Sequence, residues 1–238
     1  MDKIAEYNGL KLLSGKGTYF NNSRLAGIKI EHKIFNNILS KISNKKNPIM
    51  IELGCYYALW SLLFRQKYPN GKNILIEINE KSLNVGKKNF ELNGFDYSSY
   101  WGGIFIEDSG NYRKDSKDIK YIKREGKYYN PNTGKITGQE LDFKKILFKE
   151  NINQIDLLHM DIQGSELSFL NYLKENRILN RILNIVIATH NSEIHTFCEN
   201  TLKENNFMIY ENKPFGTMDG DGFLCAIIEN NHDTQRSK

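Results

Sequence analysis

Ile49-Met50-Ile51-Glu52-Leu53-Gly54-Cys55-Tyr56-Tyr57-Ala58 is the stretch on which the reading of this chain turns. Three β-favouring apolar residues run into an acid and then a glycine, as a buried parallel strand does when it enters a tight turn. Pro48 closes the segment before it, and Leu59-Trp60-Ser61-Leu62-Leu63-Phe64 opens a helix after it. Gly54 supplies the backbone freedom for the bend. A strand, a compact turn and a helix in that order predict a site for a nucleotide-like ligand, because strand ends and helix amino termini converge there.

Outward from this unit the pattern repeats. Ile74-Leu75-Ile76-Glu77 predicts a second buried strand, followed by a helix over 82–92 that stops at Asn93-Gly94. A weaker strand is expected over 98–103, a helix near 141–149, a strand over 155–161, a turn at Gln163-Gly164 and a helix from Ser165. A strand at 185–190 and a helix around 193–204 come next. The segments 207–210 and 223–228 have no helix between them and predict an antiparallel pair. Before the first strand, apolar residues from Ile28 to Leu39 recur at three- and four-residue steps, which marks an amphipathic helix. The expectation is an α/β, Rossmann-like fold with a mostly parallel seven-stranded sheet and an antiparallel C-terminal hairpin. We expect a single domain over 1–238, with a helical lead at 1–47 and an insertion or lid at 107–140. Within that insertion, 121–123, 127–129 and 135–137 suit a small hairpin around Asn130-Pro131-Asn132-Thr133-Gly134.

Composition narrows the function classes. The 238 residues are 39% hydrophobic, enough to bury one substantial core. No apolar run approaches membrane-spanning length and the amino terminus has no apolar signal region, so membrane insertion is not expected and a cytoplasmic location is. Cys55, Cys198 and Cys225 fall at unrelated spacings and read as packing thiols. The net charge of +5 is spread along the chain and by itself indicates no nucleic-acid partner.

Glu52-x-Gly54 with Ala58 resembles the acidic-x-Gly-x-x-x-Gly motif of class I S-adenosylmethionine-dependent methyltransferases, Ala58 standing in place of the last glycine. In that setting Glu52 accepts a bond from the cofactor's ammonium, and Glu77, about 20 residues beyond Gly54, reaches the ribose hydroxyls. Trp101-Gly102-Gly103-Ile104 lies where adenine would pack. More specifically, Glu52 to Ser61, Ile76-Glu77-Ile78-Asn79-Glu80, Leu158-His159-Met160-Asp161-Ile162-Gln163-Gly164-Ser165-Glu166 and Ala188-Thr189-His190 resemble motifs of the FkbM family of methyltransferases. The Asp-x-x-Gly-x-Glu element is the most specific of them. Departures are Ile78 for Pro, Gln163 for Glu and Ala58 for Gly. The resemblance implies S-adenosylmethionine as cofactor, held by Glu52, Gly54, Cys55, Tyr56, Tyr57, Ala58, Ser61, Glu77, Ile78, Gly103, Ile104 and Asp161. It also implies O-methylation of a small molecule, at a hydroxyl of a sugar, polyketide or related metabolite of secondary metabolism. The Tyr- and Lys-rich lid and the surplus positive charge suit a phosphorylated or nucleotide-linked sugar of surface polysaccharide.

Methyl transfer asks the protein to position the acceptor and deal with its proton. The strand ends offer His190 as general base, with Asp161 and Glu166 either orienting the acceptor or joining His190 to hold a divalent cation, Mg or Mn. As structural alternatives, Asp161 is a helix cap and Glu166 a first-turn acid. His159 alternates into the core, and Asp221 in Gly220-Asp221-Gly222 either marks a turn or projects towards the acceptor. A dinucleotide-dependent oxidoreductase or epimerase would need GxGxxG, and here Cys55, Tyr56 and Tyr57 follow Gly54. A non-catalytic binding protein on a degenerate fold is the other alternative. Nucleic acid is disfavoured as acceptor, since the Asn/Asp-Pro-Pro-aromatic tetrapeptide of amino-group enzymes is absent.

Overall fold

The computed structural model describes residues 3–14, 22–42, 45–104, 122–130, 133–218 and 220–229. In chain order the elements are β1 (Lys3–Tyr7), β2 (Leu10–Ser14), α1 (Asn22–Lys41), β3 (Ile49–Leu53), α2 (Leu59–Lys67), β4 (Lys72–Glu77), α3 (Glu80–Leu92) and β5 (Ser98–Gly103). They continue with β6 (Ile122–Arg124), β7 (Lys127–Tyr129), β8 (Ile136–Glu140), α4 (Phe143–Lys149), β9 (Leu157–Met160), α5 (Glu166–Glu175), β10 (Asn184–Thr189), α6 (Ser192–Glu204), β11 (Phe207–Met218) and β12 (Asp221–Ile228).

The main sheet has the order β11-β12-β10-β9-β3-β4-β5-β8-β7-β6. From β5 to β10 neighbouring strands pair in parallel, and β12 and β11 turn back antiparallel as the expected C-terminal hairpin. The sheet has ten strands among the described residues, where seven were expected. The extra three are β6, β7 and β8, a meander added beside β5. Gly102 makes the addition possible, because a Cβ there would lie 2.2 Å from the Gln139 carbonyl oxygen. The Trp101 indole N–H reaches both Ile78 O (3.0 Å) and Thr137 O (2.8 Å), so the meander is stitched to the end of β4. Of the segment expected as an insertion or lid, 107–140, residues 107–121 and 131–132 lie outside the described residues.

Alternation along the strands sorts the core into two layers. Ile51, Leu53, Ile74, Ile76, Leu158, Met160, Ile185 and Ile187 face one layer with helices α4, α5 and α6. Met50, Leu75, Leu157 and Val186 face the other, with α1, α2 and α3. Because side chains alternate with period two, Glu52, Glu77, His159 and, just past the strand ends, Asp161 and His190 fall on this second face. The expected polar lead holds an unanticipated feature. Asn8 (φ 51°) and Gly9 (φ 79°) form a two-residue turn that joins β1 to β2. That hairpin docks on α3, with Leu13 N donating to Asn89 Oδ1 at 2.8 Å. No described helix is long and apolar enough to cross a membrane.

Candidate active site

The turn after β3 is built from left-handed residues. Gly54 (φ 73°), Tyr56 (φ 49°) and Ala58 (φ 59°) all occupy the region that penalises a Cβ. Gly54 is irreplaceable on steric grounds, since a Cβ would lie 1.8 Å from the Asp161 carbonyl oxygen. Backbone amides of Gly54 and Cys55 both donate to Ile76 O, at 2.9 and 3.1 Å, which ties the turn to β4. Ala58 is the N-cap of α2 and is fully buried, its Cβ 3.2 Å from where a Cβ on Gly86 would be. A small residue is therefore required there even though glycine is not.

Two carboxylates grip this turn. Glu77 accepts from Tyr56 N at 2.9 Å and from Asn79 N at 2.7 Å. Glu52 is 1% exposed and accepts from Ser61 N in the first turn of α2 at 3.1 Å, while its Oε1 has no partner. His159 Nδ1, also unpartnered, lies 3.8 Å away. Burial pushes the Glu52 carboxyl up to about 8, against the opposing pull of the Ser61 hydrogen bond. Burial likewise raises Glu77, and it pulls His159 down to about 4, so that ring is neutral.

The ends of β9 and β10 are organised differently. Glu166, fully buried, accepts from Ile162 N (3.1 Å), Gly164 N (2.9 Å) and His190 Nδ1 (2.8 Å), which folds the 161–166 turn around its side chain. On the other side of the ring, His190 Nε2 lies 3.2 Å from Asp161 Oδ1, and Gln163 Nε2 donates to the same oxygen at 2.9 Å. Burial alone would lower His190, but Glu166 and Asp161 outweigh it and hold the ring up at about 10. The Gln163 amide nitrogen 2.9 Å from Nε2 favours a neutral ring, yet one amide does not offset two carboxylates. Burial would raise Asp161, and the His190 hydrogen bond and charge reverse that, so its carboxyl sits below the usual range. The Asp161 side chain is 40% exposed and those of Glu166 and His190 are 0% and 1%.

A family model described as the methyltransferase FkbM domain matches residues 49–213. The chain belongs to the FkbM methyltransferase family. Its fold and family are those of S-adenosylmethionine-dependent methyltransferases, and no curated protein matches the chain. Among solved structures it is similar to a human methyltransferase 10 domain containing protein, at 10% identity over 93% of this chain and 90% of that one, with TM-score 0.57. It is also similar to the N-terminal domain of human METTL16 in complex with S-adenosylhomocysteine, at 12% identity, 93% and 77% coverage and TM-score 0.55. A putative S-adenosylmethionine-dependent methyltransferase from Streptococcus mutans matches at 9% identity, 95% and 55% coverage and TM-score 0.55. At these identities the likeness speaks to fold alone.

Within this FkbM chain, the residues expected at the cofactor site divide into two kinds. Glu52, Gly54, Glu77 and Asp161 meet around one turn, and Tyr56 is the open side chain there, 41% exposed with its ring stacked on Tyr57 at 3.9 Å. Cys55, Tyr57 and Ala58 are buried supports, and Ser61 serves through its backbone N–H. Ile78 gives its carbonyl to Trp101, Gly103 O accepts from Leu141 N (2.9 Å), and Ile104 packs in the core on the opposite face of the sheet. The donor set fits S-adenosylmethionine: a carboxylate oxygen without a partner awaits a cation, and a glycine turn leaves no Cβ in the way.

The metal-holding arrangement of Asp161, Glu166 and His190 is not supported. Glu166 is sealed and turned to N–H groups, His190 is bonded on both nitrogens, and no set of three such side chains among the described residues is placed to hold an ion. His190, expected as general base, has Glu166 at Nδ1 and Asp161 and Gln163 at Nε2. Sequence reasoning missed Asn89, whose buried amide links Tyr57 O (3.0 Å) to the N-terminal hairpin. It also missed Gln163 as an anchor of Asp161. The sequence marked Gln163 as a turn residue and a departure from Glu, and in the structure its backbone is left-handed (φ 52°).

Proposed function

We propose that this chain is an O-methyltransferase that uses S-adenosylmethionine to methylate a hydroxyl of a small molecule, a sugar or sugar conjugate. The observation that carries the reading is Asp161, whose backbone carbonyl packs against Gly54 and whose half-open carboxylate is held ionised by His190. When bound, the cofactor supplies an electrophilic methyl group on its sulfonium. Glu52 Oε1 would meet its ammonium, and Glu77 would offer its remaining lone pairs to its ribose hydroxyls.

Asp161 then orients the acceptor. Gln163 and His190 grip Oδ1, which leaves Oδ2 for the incoming hydroxyl. A hydroxyl proton becomes acidic as its oxygen's lone pair is drawn towards the methyl group, so a carboxylate of low basicity suffices to take it. From Asp161 the proton passes to water, since that side chain is open to solvent. His190 holds Asp161 in place and Glu166 holds His190, an orienting chain that keeps the reactive carboxylate within hydrogen-bonding geometry.

The test begins with calorimetry of the full chain and S-adenosylhomocysteine, followed by methyl transfer to a panel of sugars and nucleotide-linked sugars, with RNA as a control. Cofactor binding with transfer to a sugar oxygen is the expected result. Absence of cofactor binding, or transfer to RNA nitrogen alone, overturns the reading.

A further inference from the structure

The turn Gly220-Asp221-Gly222 stands beside the imidazole, outside the orienting chain. Gly222 pairs with Thr189, and a Cβ at Gly222 would lie 2.4 Å from Thr189 Oγ1 and 2.6 Å from His195 Nδ1. Only a glycine lets β12 begin this close to the end of β10. His195 itself is locked between Thr189 Oγ1 (2.8 Å) and Asn212 Oδ1 (2.9 Å), so the packing behind the turn is fixed. That approach brings the Asp221 carboxylate to 4.0 Å from His190 Nε2, the nitrogen that Asp161 meets at 3.2 Å.

Asp221 and Asp161 have side chains 35% and 40% exposed, whereas Glu166 is sealed. Two accessible carboxylates therefore flank one buried imidazolium. Their nearest oxygens are at most about 7 Å apart, the limit set by the two distances to that nitrogen. Adjacent hydroxyls on a pyranose ring, each donating to one carboxylate, span such a gap. A phosphate does not suit this end, where the carboxylates outnumber the single imidazolium and like charge repels.

We propose that Asp221 is a second acceptor-binding residue, and that the acceptor is a sugar ring with two adjacent free hydroxyls. The hydroxyl to be methylated lies on Asp161 and its neighbour on Asp221. Any phosphate of a nucleotide-linked sugar sits away from this end. The proposal rests on the O-methyltransferase reading, and its test keeps the two apart.

The full chain is first saturated with S-adenosylhomocysteine, so that a failure of the cofactor reading shows as no heat at that step. Methyl glycosides of glucose, galactose and mannose, which present cis and trans adjacent hydroxyls, are then titrated in. Glucosamine and methyl phosphate are titrated as the cationic and anionic comparisons. At least one neutral glycoside is expected to bind at concentrations up to about 10 mM and to bind roughly tenfold or more weakly to Asp221→Asn and Asp221→Ala. The affinity for S-adenosylhomocysteine and the melting temperature should be unchanged, readouts that a merely structural role would move. Removing the neighbouring hydroxyl from the glycoside should weaken binding to the wild type and leave Asp221→Ala indifferent. Equal binding by wild type and both variants, binding of glucosamine alone, displacement of the glycoside by methyl phosphate, or no glycoside binding would each overturn the proposal.

Discussion

Carboxylates at the ends of β3 and β4 and the carboxylate at the end of β9 share one face of the sheet and stand in opposite electrostatic states. Glu52 and Glu77 are buried against backbone N–H groups, and burial pushes both towards the neutral acid. Asp161 is held ionised by a buried imidazolium that Glu166 in turn supports. On the proposed reading the difference matches what each end would bind. An acid without its counter-ion at the first end is waiting for a cation from outside, which a cofactor bearing an ammonium and a sulfonium provides. At the second end the counter-ion is built in, which suits the neutral hydroxyl proposed there.

The sharpest way to break this comparison is at Asp161. Asp161→Asn keeps the shape and the Gln163 contact but removes the charge, and turnover should fall by about 10²- to 10⁴-fold with cofactor affinity nearly intact. Full turnover in that variant, measured by steady-state kinetics, would remove Asp161 from the acceptor side. Gly54→Ala comes next. It sets a Cβ into the Asp161 carbonyl at a positive φ, and we expect a loss of about 3 kcal/mol or more in urea unfolding, together with loss of S-adenosylhomocysteine binding.

Glu52→Gln sharpens the contrast. With its carboxyl near 8, Glu52 binds a proton in the free chain at pH 7 and releases it when the cofactor's ammonium arrives. Calorimetry in buffers of different ionisation heat should show that proton in the wild type and not in Glu52→Gln. The raised value also means that Glu52's contribution to stability is fully present below about 4.5 and is lost as pH rises through about 8. His190 has the same sign in a higher window: its contribution is complete below about 6.5 and disappears as pH rises through about 10. Melting temperature against pH should therefore flatten between about pH 5 and 8 in Glu52→Gln and between about 7 and 10 in His190→Gln. Unchanged profiles would show that neither group carries its proposed charge state. Ala58→Gly is the smallest effect. It relieves a left-handed Ala but adds freedom to the unfolded chain, so a net gain of at most about 1 kcal/mol is expected, read from the urea midpoint.

Much of this architecture is legible in local sequence. Glu52-x-Gly54, Glu77 and the Asp161 to Glu166 element announce themselves because a strand end, a positive-φ turn and a helix start each need particular residues within a few positions. The Asn8-Gly9 turn carried an equally local signal for the N-terminal hairpin, and the surrounding polar residues obscured it. The ten-stranded sheet was less accessible. Joining β8 to β5 depends on Gly102 meeting Gln139 across the intervening segment, and nothing in either stretch names the other.

The sequence by itself determined the alternation of strands and helices from β3 to β5 and from α4 to β12, the family motifs and which acids stand at the strand ends. Only the tertiary structure decided the surroundings of those acids. Glu166 became an internal brace and His190 a charged clamp, while Asp161 was left as the open carboxylate. The physical reason is that a proton's affinity depends on burial and on charges within a few ångströms, and here those charges come from residues far apart along the chain.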